Sequence, residues 1–475
     1  MIKPSTGSVL LALIACQIAA AQVPTIVRDI NPLEAGSSPM FLQVFDGRLY
    51  FRATTDDAGA ELWLSDGTEA GTVLAEDLST AFAGSAPSDL VVWNGELYFT
   101  AFTSNEIWKT TGGVGNAVRI ASGLRGLGFT PFSSSMLPTD VLVFAGQSES
   151  TGATGLWRTD GTGPGTVAFG TFNSDSSGPS PRGFSDLSGT LVFFASEIGM
   201  GREPYASDGT TAGTGLIREI NAGPIGGISD VSGSAAVTLN NQVYFPGFAS
   251  GSGRKLWRSN GTDQGTRLLF DTDEPVYDDP EYLTVMGDAV YFLAETDTPP
   301  RQLWRLNATA DHPTQLTFAP AFRTETCFSF DTVVYQNRLY FPRTDETNGC
   351  ELWVSDGSET GTALLKNINP GASGSFPSFV GIANEVLYFS ALTADEGFEL
   401  WRTDGTEDGT FLVADLNPGS GIGLPYNAAA VLDGDLYFAA DDGTRGVELY
   451  ALRTMLADVV FDDGFEETAV DPPAP

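Results

Sequence analysis

The stretch "ELWLSDGTEAGT", Glu61–Thr72, decides the fold because it returns along the chain at nearly constant intervals. Clear copies begin at Gly155, Glu203, Lys255, Glu351 and Glu399. With three weaker copies included, the aromatic third residue of the motif falls at Trp63, Trp108, Trp157, Tyr205, Trp257, Trp304, Trp353, Trp401 and Tyr450. Successive differences are 45, 49, 48, 52, 47, 49, 48 and 49, so the chain contains nine similar units. Units of this length are typical of β-propeller blades.

Each unit predicts four short strands rich in aromatic and β-branched residues. In the second unit, strands are predicted at Asp89–Trp93, Leu97–Ala101 and Glu106–Lys109, with Asn94-Gly95 as a tight turn between the first two. The fourth strand is clearest in the first unit, at Thr72–Leu78. One such sheet cannot bury both its faces, so we expect the units to pack around a ring, with Trp63 and its equivalents between adjacent sheets.

The two ends of the repeat region indicate how the ring closes. "TIVRDINP", Thr25–Pro32, resembles the fourth strands at Thr362–Pro370 and Thr410–Pro418, whereas the last unit has no fourth strand of its own. The sequence therefore predicts an all-β fold, a single closed β-propeller of about nine four-stranded blades in which the N-terminal strand completes the last blade. Because nine blades is large for this architecture, a ring of eight is the alternative.

The "DGT" part of the motif predicts a hairpin loop between strands three and four. An Asp or Asn side chain can accept backbone N–H bonds within its own turn, and Gly supplies a positive φ. The predicted structural turn residues are Asp66, Asp160, Asp208, Asn260, Asp356 and Asp404. The alternative is an ion site, but one carboxylate per loop does not supply the several oxygens that calcium requires.

The motif "ELWxxDGTxxGT" at these intervals resembles the ELWxxDGT repeat family of exported bacterial proteins. The resemblance covers Thr25–Thr454 and is clear in six units. It implies an exported, propeller-like protein. It implies no established activity, so it lends no catalytic residues.

The N-terminus reads as an export signal at residues 1–21, with an apolar stretch from Val9 and cleavage after Ala21. "LIAC", Leu13–Cys16, also resembles a lipobox, which would make the protein a lipoprotein anchored through Cys16. We expect the propeller at residues 25–454. The acidic, Pro-ended tail at 455–475 is interpreted either as disordered or, from "VVFDDGFE", as a secretion or processing tag. These features predict a protein that is secreted or held at a bacterial cell surface.

Composition excludes several partners. Lys and Arg number 24 against 60 Asp and Glu, and a net charge of −36 repels nucleic acid and anionic lipid. No second stretch is apolar enough for a membrane helix. Two cysteines remain after export, and in an oxidising compartment we expect them to form a disulfide, Cys327–Cys350.

The loops between strands two and three lie on one face of a propeller and carry acids in several units. We hypothesise that this face binds a ligand through Asp56, Asp57, Asp395, Glu396, Asp441 and Asp442. Glu61, Glu351 and Glu399 are interpreted as bordering this acidic rim. No cofactor is expected, and any calcium binding should be weak and shared between loops.

Two functions remain from the sequence. The first is a non-catalytic, monomeric binding or surface-interaction scaffold for an unknown protein or glycan. The alternative is a carbohydrate-active enzyme, a glycoside hydrolase or lyase with an Asp/Glu pair. The sequence favours the first, because no acid stands out from the repeating background and no catalytic residue can be assigned.

Overall fold

The computed structural model describes residues 23–453 except 33–35, 80–82, 133, 135–136, 138, 150–153, 173–180, 225, 229–235, 250–252, 270–277, 296–300, 318–326, 328–331, 346, 372 and 427. The predicted signal peptide at 1–21, the alternative lipidation site at Cys16 and the tail at 455–475 lie outside the described residues. The described residues form strands, turns and loops and contain no helix, so no helix there could cross a membrane.

Thirty-six strands in the described residues form nine four-stranded antiparallel sheets. Blades one to three contain β2 Met40–Phe45, β3 Arg48–Thr55, β4 Gly59–Ser65 and β5 Val73–Glu76; β6 Pro87–Trp93, β7 Glu96–Ala101, β8 Glu106–Thr110 and β9 Ala117–Ser122; β10 Leu124–Phe132, β11 Val141–Ser148, β12 Thr154–Thr159 and β13 Val167–Phe172. Blades four to six contain β14 Arg182–Asp186, β15 Leu191–Glu197, β16 Gly201–Ser207 and β17 Gly215–Leu216; β18 Val237–Leu239, β19 Gln242–Ala249, β20 Gly253–Ser259 and β21 Arg267–Leu268; β22 Asp278–Met286, β23 Ala289–Glu295, β24 Gln302–Asn307 and β25 Thr314–Gln315. Blades seven to nine contain β26 Val333–Tyr335, β27 Arg338–Asp345, β28 Gly349–Ser355 and β29 Thr362–Lys366; β30 Ser378–Ala383, β31 Val386–Thr393, β32 Gly397–Thr403 and β33 Phe411–Ala414; β34 Ala429–Leu432, β35 Asp435–Asp441, β36 Val447–Leu452 and β1 Thr25–Arg28.

The first strand completes the last blade, as predicted. The ninth sheet has the order β1-β36-β35-β34, with β1 at its outer edge. Thr25 lies opposite Ala451 and Ile26 opposite Tyr450 in an antiparallel pair. The chain therefore closes the ring with its own ends.

The packing between sheets confirms the ring of nine blades. Within the described part of the chain, nine hydrophobic clusters are present, and each combines residues of two consecutive blades. One of them joins blade nine to blade one through Leu449, Val27 and Phe51. Trp63, Trp257, Trp304 and Trp401 lie in such clusters, so the motif aromatic is a core residue between sheets, as expected.

The order of the strands gives the ring two different faces. The turns between strands one and two and the DGT loops between strands three and four lie on one face, which we call the turn face. The loops between strands two and three, and the segments that join one blade to the next, lie on the other face, which we call the loop face. The innermost strands touch one another around the axis, as β34, β2, β6 and β10 do.

Candidate binding face

The side chain of the DGT Asp or Asn accepts hydrogen bonds within its own loop. In the first unit, Oδ1 of Asp66 accepts hydrogen bonds from the Thr68 backbone N–H (2.9 Å) and from the Thr68 hydroxyl (2.7 Å). The Thr68 hydroxyl accepts the Gly71 N–H (3.0 Å), and the Ser65 and Thr72 hydroxyls bond at 2.7 Å across the base of the loop. The same carboxylate or amide contact recurs at Asp160, Asp208, Asn260, Asp356 and Asp404. Each of these six side chains therefore accepts a backbone N–H bond within its own turn, as predicted.

The DGT loops also contact the blade before them. Gly405 has a φ of 93°, and a Cβ there would lie 2.6 Å from the hydroxyl of Tyr340 in the preceding blade. The carbonyl oxygen of Gly357 accepts a bond from Arg305 of the preceding blade (3.1 Å). Lys366 similarly donates to the Thr410 carbonyl of the next blade (2.6 Å). The DGT loops thus form contacts between neighbouring blades on the turn face. The motif repeats because the same contact is needed at successive junctions.

Five glutamates of the strand-three motif are buried and form a second repeated contact. The Glu61 carboxylate accepts backbone N–H bonds from Leu78, Ser79 and Ser85, which lie 17, 18 and 24 residues later. These donors belong to the segment that leads to the next blade. We call this contact, a buried glutamate that accepts backbone N–H bonds from the segment leading to the next blade, the latch. It is also made by Glu203, Glu351, Glu399 and Glu448. All five side chains are fully buried, so the interpretation of Glu61, Glu351 and Glu399 as rim acids is wrong.

The five latches differ at one position. A serine hydroxyl also donates to Glu61, Glu351 and Glu448, from Ser85, Ser375 and Ser37 respectively. At Glu203 and Glu399 that position is a glycine, Gly227 or Gly423. Burial raises the pKa of all five carboxyls, against the opposing effect of the hydrogen bonds they accept. The pKa reaches about 7 at Glu203 and Glu399, the two glutamates that lack the serine donor.

The junction of blades five and six reverses the charges of the latch. Lys255 stands where the latch glutamate stands in other blades, and its Nζ lies 3.5 Å from Asp278. The buried Arg254 beside it contacts Asp279 (2.6 Å) and Glu281 (2.7 Å). The acids come from β22, whose pairing with β23 is interrupted twice and which contacts β20 of blade five.

Arg301 extends this cluster on the loop face. It contacts Asp279 at 2.6 Å, Glu281 at 3.3 Å and Glu295 at 3.3 Å. The signal in the sequence was the acidic run "DDPE" from Asp278, which no other unit contains. The acids are already paired with cations, so the cluster is a fixed charged element rather than a set of free carboxylates.

The six acids proposed from the sequence lie in the loop-face loops of blades one, eight and nine, which are consecutive in the ring. Asp56, Asp57 and Asp395 are exposed, whereas Glu396, Asp441 and Asp442 are half-buried. The topology therefore brings the three pairs to neighbouring blades. Their role in ligand binding stays a prediction.

Asp442 is held by its own loop. Its carboxylate accepts bonds from the Thr444 backbone N–H (2.9 Å), the Thr444 hydroxyl (2.7 Å) and the Arg445 N–H (3.0 Å), and it pairs with the Arg445 side chain. Burial acts to raise the pKa of Asp442, but these hydrogen-bond donors outweigh burial and lower the pKa to about 2. Asp441 in turn accepts the Gly443 N–H at 2.8 Å.

Among the described residues, no group of three or more Asp, Glu, His or Cys side chains is arranged to hold a metal ion. The hypothesis of calcium shared between loops therefore gains no support from the part of the chain that is described.

Cys327 and Cys350 form the expected disulfide, with Cα atoms 5.4 Å apart. Cys350 precedes the latch glutamate Glu351, and its backbone N–H bonds to Ser373 at 3.4 Å in the segment that leads to blade eight. The disulfide therefore lies on the loop face. It links Cys327, which precedes the first strand of blade seven, to Cys350 in the third strand of the same blade.

Arginines stacked on exposed aromatic rings are a loop-face feature that the sequence analysis missed. The Arg52 guanidinium lies 4.9 Å from the centre of the Phe41 ring, and Arg125 lies 4.5 Å from that of Phe102. Both rings are exposed. Nothing in the repeat pattern marks these pairs, because each combines residues from different strands or blades.

Comparisons with known proteins give no family for this chain: no family model matches it and no curated protein matches it. Among solved structures, a Mycobacterium tuberculosis puromycin-hydrolyzing peptidase is similar over 88% of this chain and 62% of its own, with 11% identity and a TM-score of 0.41. A prolyl endopeptidase structure is similar over 86% of this chain and 55% of its own, with 13% identity and a TM-score of 0.41. This chain thus spans less than two thirds of the length of either protein. At these TM-scores the likeness supports no statement about activity, and the propeller assignment rests on the sheet topology.

Proposed function

We propose that this protein is an exported, non-catalytic β-propeller that binds a protein or glycan partner through its loop face. The observation that carries the proposal is the different use of acids on the two faces. On the turn face, the repeated Asp of each DGT loop accepts bonds from its own loop, as Asp404 does from Thr406 at 2.9 and 2.7 Å. The acids of the loops between strands two and three lie on the loop face, where Asp56, Asp57 and Asp395 are exposed, whereas the other exposed acids of the turn face, such as Glu69 and Glu359, stand within the DGT loops.

Exposed loops on a rigid scaffold are the usual place for recognition. Each blade of this ring is held to its neighbours by a hydrophobic cluster, and most also by a DGT loop or a buried glutamate. The loops are therefore displayed on a frame that does not need a ligand to become ordered. A partner with basic groups suits a chain with a net charge of −36.

Export and membership of the ELWxxDGT repeat family are parts of this proposal. A disulfide is typical of proteins that fold in an oxidising compartment, and Cys327–Cys350 supports export on that ground. Sequencing the N-terminus of the protein secreted by its host would identify cleavage after Ala21. Lipid found on Cys16 would instead indicate an anchored lipoprotein.

The binding role can be tested with two variants that carry the same change in charge. The loop-face variant combines Asp56→Asn, Asp57→Asn, Asp395→Asn and Glu396→Gln. The turn-face control combines the exposed substitutions Glu69→Gln, Glu359→Gln, Glu407→Gln and Asp408→Asn. Each removes four negative charges, so a difference between them reports position rather than net charge.

The purified proteins would be screened on a glycan array and on an array of basic peptides. We expect partners that bind the wild type and the turn-face control equally and the loop-face variant at least about tenfold more weakly. Equal losses in both variants would contradict a loop-face site. Turnover in a parallel panel of glycosidase and lyase substrates would instead favour the carbohydrate-active enzyme.

A further inference from the structure

Each latch segment, the stretch of chain that a latch glutamate holds on its way to the next blade, also supports a loop of that blade. A backbone carbonyl of the segment accepts an N–H bond near the loop-face end of strand two in the following blade. The acceptor and donor pairs are Ser85 and Thr103 (3.1 Å), Gly227 and Phe248 (2.6 Å), Ser375 and Leu392 (2.7 Å), Gly423 and Asp441 (2.8 Å), and Ser37 and Thr54 (2.8 Å). The latch therefore reaches from a buried carboxylate of one blade to the loop-face loop of the next.

Three of these loops carry the acids of the candidate binding face. The latches of Glu351, Glu399 and Glu448 lead to blades eight, nine and one, respectively. The acids of those loops are, in the same order, Asp395 and Glu396, Asp441 and Asp442, and Asp56 and Asp57. Each candidate loop is thus attached by a hydrogen bond to a segment that a buried carboxylate holds in place.

The Glu399 latch differs from the other two in its donors. Its carboxylate accepts the N–H groups of Leu416 (2.8 Å) and Asn417 (3.2 Å), whereas the other two carboxylates also accept a serine hydroxyl. A Cβ at Gly423 would lie 2.3 Å from Oε2 of Glu399, so the carboxylate fills the space that a side chain would need. Each donor stabilises the ionised form of a buried carboxyl, so the ionised form of Glu399 is the least stabilised of the three.

The loop of blade nine rests on its latch segment at two points. The Asp441 N–H donates to the Gly423 carbonyl at 2.8 Å. Gly443 packs closely on the Asn417 side chain, since a Cβ there would lie 2.5 Å from Oδ1 of Asn417. Asp442 stands between these two contacts in the chain. If residues 416–423 move away from Glu399, both contacts break and the loop loses its support.

The charges around Glu399 determine how this latch responds to pH. Burial outweighs the N–H bonds and raises the pKa of Glu399 to about 7, and Asp415 at the start of the segment adds to the rise. Asp442 stays ionised above pH 4.5 because, although burial opposes them, hydrogen bonds hold its pKa at about 2. The other charged residues on the surrounding elements are Asp395 and Glu396 in the loop before the Glu399 strand, Arg402 in that strand, and Asp441 and Arg445 in the blade-nine loop.

Opening of this latch is linked to the loss of a proton. An opened segment exposes Glu399 to water and returns its pKa to the ordinary value of 4.5, so the closed latch holds more protons than the open one between pH 4.5 and 7. The closed latch is therefore most favoured at the acidic end of this window, and opening becomes more frequent as pH rises toward 7.

We propose that the latches position the acidic loops of blades eight, nine and one, and that the Glu399 latch releases the blade-nine loop more often as mildly acidic solution becomes neutral. Glu399 is then a positioning residue, which acts on Asp441 and Asp442 through residues 416–423. That these acids bind a partner rests on the proposed function, whereas their attachment to the latches does not.

Hydrogen exchange, resolved to single amides by mass spectrometry, tests this proposal on the full mature chain. Rates at pH 5.5 and 7.5 are divided by the intrinsic rate of each amide to give protection factors. We expect the protection of Leu416, Asn417 and Asp441 to fall at least about tenfold between the two pH values. The corresponding amides of the blade-seven latch, Ile368 and Leu392, should lose protection by a smaller factor.

Two glutamine variants separate the latch from the rest of the protein. Glu399→Gln removes the titrating charge and should abolish the pH response of both Leu416 and Asp441. Glu351→Gln is the matched control, because it makes the same change in another latch and should leave the blade-nine response in place. The comparison of amides within the wild type needs no variant, so it holds even if Glu399→Gln does not fold.

A third variant tests the serine hydroxyl. Ser375→Ala removes the hydroxyl that donates to Glu351 at 2.5 Å and keeps both backbone donors of that latch. The protection of Ile368 and Leu392 should then depend on pH more steeply than in the wild type. An unchanged dependence would refute the role given to the hydroxyl.

Equal pH responses at the blade-seven and blade-nine latches would overturn the proposal, because they would indicate a change in global stability. Full retention of the response in Glu399→Gln would do the same. A response at Leu416 without one at Asp441 would overturn the coupling of latch and loop. The measurement uses no ligand, so a failure to find an array partner would remove the proposed function and leave this coupling intact.

Discussion

The carboxylate of Glu448 accepts a 3.0 Å hydrogen bond from the backbone N–H of Asn31, a residue 417 positions earlier in the chain. It also accepts the Ile30 N–H at 3.2 Å and the Ser37 hydroxyl at 2.6 Å. Four other blades contain the same contact within one stretch of chain, so the ring closes with the contact that it uses between ordinary neighbours. Loss of this acceptor should therefore act at the seam of the ring.

Glu448→Ala should lower the free energy of unfolding by roughly 3 kcal/mol, because three buried donors lose their acceptor. Urea denaturation would measure the loss. Glu359→Ala is the control, since Glu359 is exposed on the turn face. A Glu448→Ala protein as stable as this control would contradict the role of the latch in closing the ring.

The raised pKa values of Glu203 and Glu399 predict an unusual dependence of stability on pH. The folded value of about 7 exceeds the ordinary 4.5, so between these values the folded protein holds more protons than the unfolded chain. The free energy of unfolding should then increase as pH falls from 7 toward 4.5, and this contribution is lost as pH rises through 7.

The urea midpoint at pH 7.5 and pH 5.5 would measure this effect. The double variant Glu203→Gln and Glu399→Gln should respond less to pH than the wild type. The control with Glu359→Gln and Glu407→Gln, both exposed, should keep the wild-type response. Parallel responses in all three proteins would attribute the effect to overall charge repulsion instead.

Protonation of the DGT loops limits the gain at low pH. Hydrogen bonds from Thr or Ser side chains lower the pKa of Asp66, Asp160, Asp356 and Asp404 below 3.8. Their contribution is present above that value and is lost as pH falls through the folded pKa. Stability should therefore be greatest in mildly acidic solution.

Gly405→Ala should cost more than the same change at another glycine of positive φ. Gly405 has a φ of 93° and would place a Cβ against Tyr340, whereas Gly47, with a φ of 67°, has open space around it. We expect Gly47→Ala to cost about 1 kcal/mol and Gly405→Ala roughly 2–3 kcal/mol in the free energy of unfolding. Adding Tyr340→Phe, which removes the contacting hydroxyl, should recover part of the difference. Equal costs at the two glycines would show that the contact between blades is not limiting.

Thiol titration of the unreduced, denatured protein without residues 1–21 should find no free thiol, because Cys327 and Cys350 are bonded. Changing both to Ser should lower the free energy of unfolding by roughly 3 kcal/mol in the chain-entropy model. Two reactive thiols would refute the bridge. A variant as stable as the wild type would show that the loop is constrained in some other way.

The sequence by itself determined the fold because the information was periodic and local. The nine aromatics established the number of blades, and the likeness of Thr25–Pro32 to other fourth strands established the closure that pairs Thr25 with Ala451. Strand bounds shifted by only a few residues, as in Thr72–Leu78, observed as Val73–Glu76. The Asp66 turn was also accessible, since its donors lie two residues away.

Only the tertiary structure decided which acids belong to the interior. Glu61 and Asp57 both lie near the strand two–three loop and look alike in sequence, yet Glu61 is buried and Asp57 is exposed. The difference arises because the donors of Glu61 lie 17 to 24 residues away, on a segment that folds back over strand three. The burial of a side chain and its hydrogen bonds to another blade depend on how the blades pack in the closed ring. The hydrophobic periodicity of one blade does not predict them.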